Sequence, residues 1–125
     1  MRVLLDTHVY LWFLADSPRL TKKARTQIRR AEVVFVSAAS IWEATIKVSL
    51  GKLKVEPDDL VAGIEESGFT ELPVHARHAA RVSDLARDHR DPFDRLLLAQ
   101  AIDEPLRFIT ADETLVSYSS LVDLV

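Results

Sequence analysis

The chain contains no cysteine, which removes disulfide staples, thiolate zinc sites and cysteine nucleophiles together. Glycine is nearly as scarce. Its three occurrences stand apart, so no glycine-rich loop exists to cradle a phosphate, and P-loop and dinucleotide-binding readings fail. Long apolar runs are missing too: residues 9–15 make a run of seven, far short of a membrane span. The opening Val3-Leu4-Leu5 is cut by Asp6, with no small-residue cleavage site after it. The N-terminus is therefore expected to belong to a folded, cytoplasmic protein rather than to a secretory leader. An excess of positive charge is also lacking. The formal net charge is −3, so bulk electrostatics does not advertise a nucleic-acid binder.

What is present is the usage of an ordinary globular domain, with 48% apolar and 28% charged residues in 125. That length suits one domain, expected over residues 1–125, burying about two-thirds of its unfolded surface. The near-neutral total conceals a split: residues 1–62 carry a net +3 and residues 63–125 a net −6. Such a chain can set a cationic rim around an anionic pocket.

Short apolar runs alternate with amphipathic ones. Strands are expected at 3–5, 33–36, 69–72, 107–110 and 121–124, and helices at 7–15, 21–31, 39–50, 58–67, 75–89 and 92–103. Val33-Val34-Phe35-Val36, apolar on both faces, suits a buried parallel strand. Strand–helix alternation implies an α/β fold with a parallel sheet covered on both faces. Boundary residues agree: Thr21 and Asp91 can cap helices, Pro92 suits a first helical position, and Gly51 and Gly68 can close helices in the left-handed conformation.

In a parallel sheet, sites form beyond the carboxyl ends of the strands. Asp6-Thr7 follows the first strand, Ser37 the second with Glu43 about a turn into the next helix, and Thr110-Ala111-Asp112 the fourth. Asp94 lies in the first turn of the helix at 92–103. Four carboxylates from four places could converge, at an electrostatic cost that a hard cation would offset; oxygen-only ligands select Mg²⁺ or Mn²⁺. Each acid also has a structural alternative. Asp6 and Asp112 could cap helices, Glu43 has capping-box spacing from Ser40, and Asp94 suits a helix dipole.

The motifs Leu4-Leu5-Asp6-Thr7-His8 with Leu11-Trp12, Ser37-Ala38-Ala39-Ser40-Ile41-Trp42-Glu43 with Lys47 and Gly51-Lys52-Leu53, His89-Arg90-Asp91-Pro92-Phe93-Asp94-Arg95, and Thr110-Ala111-Asp112 occur in this order. Through them the chain resembles the PIN-domain family, and within it the VapC-type toxins of bacterial toxin–antitoxin pairs. The resemblance implies a three-layer α/β/α sandwich with a parallel sheet of four to five strands. It also implies a Mg²⁺-dependent endoribonuclease acting on single-stranded or looped RNA, with a cognate antitoxin and a homodimeric state. The family's acidic quartet falls on Asp6, Glu43, Asp94 and Asp112. Asp6 and Asp94 are expected to hold Mg²⁺ (or Mn²⁺) against the scissile phosphate, with Glu43 orienting the attacking water and Asp112 completing the metal site. Asp91 lies three residues from Asp94 on one helical face; Asp94 is the favoured ligand because Leu97, Leu98, Ala101 and Ile102 follow as its inward side.

Thr7 and Thr110 are expected to support the carboxylates or phosphate, and Arg95 to hold substrate phosphate. Arg19, Lys22, Lys23, Arg25, Arg29 and Arg30 form an acid-free run; Lys22, Lys23 and Arg25 are RNA-binding candidates, against a solvated helix face. The four histidines do not compose a metal set: His75 and His78 read as surface or partly buried, and His8 could border the pocket. The first helix is apolar all round, as in a helix fully buried or shared with another chain, and Trp12 on it could stack a base. The rival readings are a PIN fold that binds without cutting and a Mg²⁺-binding receiver domain. The receiver needs an acidic pair after the first strand and a late lysine, whereas Thr7-His8 follows Asp6 and no lysine follows Lys54.

Overall fold

A computed structural model describes residues 1–125. In chain order the elements are β1 (Arg2–Leu5), α1 (Thr7–Leu14), α2 (Lys22–Arg30), β2 (Val33–Ser37), α3 (Ala38–Ser49), α4 (Pro57–Glu66), β3 (Thr70–Leu72), α5 (Ala76–Arg81), α6 (Pro92–Asp103), β4 (Arg107–Thr110) and β5 (Val122–Leu124). The five strands form one sheet in the order β3-β2-β1-β4-β5, and every pairing is parallel. The expected α/β sandwich is therefore the observed one, with element ends within a residue or so of the sequence pattern in all but one place.

Alternation along β1 explains the unbroken Val3-Leu4-Leu5. Val3 and Leu5 enter one core with Val9, Tyr10, Val34, Val36 and Ile109, under α1, α2 and α4. Leu4 enters the other, with Phe108, Leu97, Leu98 and Leu106, under α6. A strand between two helical layers has no polar face to show. Gly51 and Gly68 close their helices at φ of 72° and 76°, where a Cβ would be strained.

The exception is the helix expected at 75–89. α5 ends at Arg81, a single 3-10 turn spans Val82–Asp84, and the chain then runs irregularly to Asp91. The Arg95 guanidinium donates to the carbonyls of Val82 (3.2 Å), Ala86 (2.5 Å) and His89 (3.1 Å), and the Tyr118 hydroxyl donates to Asp88 (2.7 Å). The Ala86 and His89 carbonyls are thereby satisfied outside a helix, while that of Val82 also accepts the Leu85 N–H closing the 3-10 turn (3.2 Å). His78, expected at or near the surface, is fully buried. α1 is only partly covered: Val9 and Tyr10 are buried, Leu11, Trp12 and Phe13 half-buried, and Leu14 exposed. No helix is long and apolar enough to cross a membrane.

Candidate functional site

The chain passes from β1 to β2 on one side of the sheet and later returns to place β4 on the other side of β1. The crevice beyond the carboxyl ends of β1 and β4 is thus the switch point of the sheet, where neighbouring connections diverge. Asp6 leaves β1 there, its backbone N–H donating to Ile109 on β4 at 2.9 Å. Its Oδ1 caps α1 by accepting from the Thr7 N–H (2.7 Å), and its Oδ2 accepts from the Thr110 hydroxyl (2.6 Å). Burial pushes the Asp6 carboxyl up from its usual range, opposed by these two hydrogen bonds and reinforced by the charge of Glu43.

Asp112 caps the 3-10 turn at Glu113–Tyr118, accepting from the Thr114 N–H (3.0 Å) and hydroxyl (2.7 Å). Both bonds fall on Oδ1. Capping and a site role are therefore compatible, because a cap occupies one carboxylate oxygen. The helix cap of α6 is Asp91, whose Oδ1 accepts from the N–H groups of Phe93 (2.9 Å) and Asp94 (3.2 Å). Asp94, one turn in, is the more buried of the two, and its Oδ2 lies 2.8 Å from His89 Nε2. Burial raises the Asp94 carboxyl to about 6, against the His89 hydrogen bond and with help from the like charges of Asp6 and Asp91.

Glu43 stands on α3, near enough for its charge to act on Asp6, but it does not line the acidic cavity. The Ser40–Glu43 capping box does not form: Ser37 caps α3, accepting from the Ala39 N–H at 3.0 Å, while the Ser40 hydroxyl accepts from Thr7 Oγ1 at 2.9 Å. Glu43 is buried, with Oε2 3.4 Å from Lys47 Nζ. Its Oε1 is buried without any partner, a costly state for a carboxylate oxygen.

Asp6, Asp91, Asp94 and Asp112 line one cavity of about 390 Å³, together with His8, Trp12, Arg19 and Ala111. Ligand atoms of His89, Asp94 and Asp112 lie within 4.8 Å of one another. His89 joins this cluster although sequence spacing gave it no role; its position five residues before Asp94, with a helix cap between, was the available signal. Four acidic side chains keep an oxygen without a hydrogen bond (Glu43 Oε1, Asp91 Oδ2, Asp94 Oδ1 and Asp112 Oδ2), and oxygen donors beside one imidazole suit a hard or borderline divalent ion. The residues present fit a Mg²⁺ or Mn²⁺ ion.

The basic candidates are placed differently. Arg95 is engaged with three loop carbonyls rather than facing the cavity as a free donor. Arg25 donates to the carbonyls of Leu20 and Ser17 and pairs with Asp16 (3.0 Å), and Lys23 donates to the Leu124 carbonyl (2.8 Å). Lys22 is exposed on α2. Arg19 is the member of the basic run that lines the acidic cavity.

Comparison with known proteins meets this geometry at several levels. Ribonuclease VapC22 of Mycobacterium tuberculosis is 29% identical over 124 residues, covering 93% of this chain and 91% of the relative. Among solved structures, VapBC2 from Rickettsia felis bound to a promoter DNA fragment superposes with a TM-score of 0.74 at 16% identity, over 99% of this chain and 98% of the other. A toxin–antitoxin complex from Klebsiella pneumoniae gives 0.67 at 15% identity, over 97% and 95%. At those identities the structures speak for the fold. The PIN domain profile matches residues 3–120, a span that begins in β1 before Asp6 and runs past Asp112. The acids of the switch-point crevice thus lie inside the matched span, and the chain belongs to the PIN-domain family.

Proposed function

We propose that this protein is a metal-dependent endoribonuclease that cuts single-stranded or looped RNA and serves as the toxin of a toxin–antitoxin pair. The observation that carries the reading is the buried, partnerless Glu43 Oε1 beside carboxylates that repel one another at the sheet's switch point. A folded protein keeps such an arrangement where a cation completes it. The name of the Mycobacterium tuberculosis relative and the toxin–antitoxin identity of the structural neighbours support the substrate class and the biological setting.

Asp6, Asp94 and Asp112 would hold a Mg²⁺ or Mn²⁺ ion, which supplies Lewis acidity toward the phosphate and toward bound water. The Thr110 hydroxyl fixes the Asp6 carboxylate, and His89 fixes that of Asp94, so both present a set geometry before substrate arrives. Thr7, donating to Ser40, ties the start of α1 to α3 and so sets Glu43 relative to Asp6. Glu43, whose Oε1 has no hydrogen-bond partner, would orient the attacking water.

The cognate antitoxin and a second copy of the chain are proposed as partners. An open groove of about 740 Å³ lined by Leu11, Leu14, Val48, Leu53, Val55 and Leu60 leaves the exposed side of α1 uncovered. The deciding experiment incubates the purified chain with single-stranded RNA in Mg²⁺, in Mn²⁺ and in chelator. Cleavage by the parent that vanishes in chelator and in Asp94→Asn is expected. Tight RNA binding with no cleavage in any metal would instead make the chain a PIN-fold binding module.

A further inference from the structure

One wall of the acidic cavity is not acidic. His8 and Trp12 stand four residues apart on α1, and so on one face of it, with ring centroids 6.1 Å apart at 45°. Both line the cavity that holds Asp6, Asp94 and Asp112, and Arg19 lines it with them. His8 is exposed and Trp12 half-buried, so both rings retain surface for a ligand.

Lys47 orients His8. Its Nζ lies 2.8 Å from His8 Nε2. The contact holds His8 as an oriented aromatic plate. Glu43 shares the same ammonium at 3.4 Å, so the plate is tied to the acidic site by a single side chain.

We propose that His8 and Trp12 form a nucleobase seat, on which a base of single-stranded RNA next to the scissile linkage stacks while Arg19 faces the backbone. This rests on the ribonuclease reading and names the part of the substrate, beyond the phosphate, that the site holds. The geometry matches a strand whose phosphate lies toward the carboxylates and whose base projects toward the aromatic wall. A duplex keeps its bases stacked inside and cannot fill such a seat; aromatic stacking tolerates every base, so the seat selects for strandedness more than for sequence.

Trp12 and Trp42 are the two tryptophans of the chain. In a Trp42→Phe background, Trp12 reports alone. Saturation with a chemically uncleavable single-stranded oligonucleotide is expected to quench its fluorescence, whereas double-stranded RNA of the same length is not. Trp12→Leu should raise KM for single-stranded RNA roughly 5- to 150-fold with kcat changed little, and Trp12→Phe should recover most of the loss. An oligonucleotide made abasic beside the cleaved linkage should bind parent and Trp12→Leu equally. The seat is overturned if an RNA-cleaving parent shows no Trp12 quenching, or if abasic and intact strands lose equally on Trp12→Leu. A parent that cuts no RNA fails the ribonuclease reading instead. Binding of the uncleavable strand reads the seat independently of cutting, and Trp12→Phe supplies the comparison should Trp12→Leu fold poorly.

Discussion

The two ends of α6 each carry a cluster of one imidazole and two carboxylates, of opposite character. At its N-terminal end, His89 sits with Asp94 and Asp112; at its C-terminal end, His78 sits with Asp103 and Glu104, and both triads have ligand atoms within 4.8 Å of one another. At the second cluster Arg77 pairs with Asp103 (2.8 Å) and Glu104 (2.9 Å), Arg81 approaches Asp103 at 3.7 Å, and His78 holds Glu104 at 2.5 Å. His78 Nδ1 accepts from the His75 N–H (3.0 Å) and lies 3.3 Å from the Gln100 amide nitrogen, leaving Nε2 to carry the proton toward Glu104. Its carboxylates are satisfied, and the His78 hydrogen bond, with Arg77 behind it, holds Glu104 below the usual carboxylate range. At the first cluster burial pushes Asp94 up, and no lysine or arginine pairs with it. Acids near the C-terminal end of a helix oppose its dipole and need those arginines; an acid in the first turn does not, and its neighbours leave a cation to be supplied from outside. The two clusters differ in counter-cation more than in residue type.

The comparison breaks most sharply in activity. Asp94→Asn, or Asp6→Asn, is expected to lower metal-dependent RNA cleavage by about a thousandfold or more, since it removes a charged ligand oxygen. Glu104→Gln, at the other end of the same helix, should leave the rate within a few-fold. Parallel turnover measurements on a quenched-fluorophore RNA check this; equal losses in both would place the reacting centre elsewhere.

The second contrast is in folding. His78 is fully buried and ties α5 to α6, so His78→Ala opens a cavity and strands the partners of both ring nitrogens. A loss of about 2–4 kcal/mol in urea unfolding is expected, with the Mg²⁺ response of the surviving fold unchanged. A destabilisation well under 1 kcal/mol would mean that this end of α6 is held by packing alone.

The third contrast is its pH dependence without metal. The Asp94 carboxyl is held at about 6, above the roughly 3.9 of an unfolded chain, so the folded protein binds that proton more tightly. Its contribution to stability is therefore full below about pH 4 and is lost as pH rises through about 6. In chelator, Asp94→Asn should be more stable than the parent above pH 6 by about 1–2 kcal/mol, after discounting for solvent screening, and the gain should fade toward pH 4. Saturating Mg²⁺, at a hundredfold excess over Kd, should raise the parent by about 2.7 kcal/mol and the variant by less. A variant that melts with the parent across this range would leave Asp94 as a helix-dipole residue.

The sequence made the N-terminal end of this contrast easier to see than the C-terminal end. Asp6 and Asp112 are legible because apolar runs that fold as parallel strands stop at them, and Gly51 and Gly68 mark helix ends through a conformation other residues resist. Asp91 and Asp94 separate cleanly, since Pro92 identifies the first as the cap. His89 was hidden for a long-range reason. The pattern over 75–89 is helical, but α5 ends at Arg81, and the segment after it is held by the Arg95 guanidinium through the carbonyls of Val82, Ala86 and His89. The bond from Arg95 to the His89 carbonyl holds that residue where its ring meets Asp94. Likewise the Ser40–Glu43 spacing is a local motif overruled by tertiary contact, because Thr7 takes the Ser40 hydroxyl and Ser37 already caps α3. The burial of His78 depends on Glu104 and Gln100, more than twenty residues away, which no local window contains.

The smallest effect is the most exacting for the comparison, because it asks one cluster to become the other. If counter-cations alone keep the C-terminal cluster from binding metal, replacing Arg77 and Arg81 by Gln should uncover it. Arg77 is more than half exposed, so its loss should perturb the fold little, while Asp103 and Glu104 lose their closest cations. His78 Nε2 would then face two carboxylates, a His–Asp–Glu set suited to Zn²⁺ or Mn²⁺ more than to Mg²⁺. The double variant should gain a Zn²⁺-dependent rise in melting temperature of a few degrees that the parent lacks at that cluster. The rise should persist when Asp94→Asn is added to silence the first site, and disappear with His78→Gln. No gain would mean that the buried hydrogen bonds of His78 hold the imidazole against rotation toward a metal, and that the two ends of α6 differ in rigidity as well as in charge.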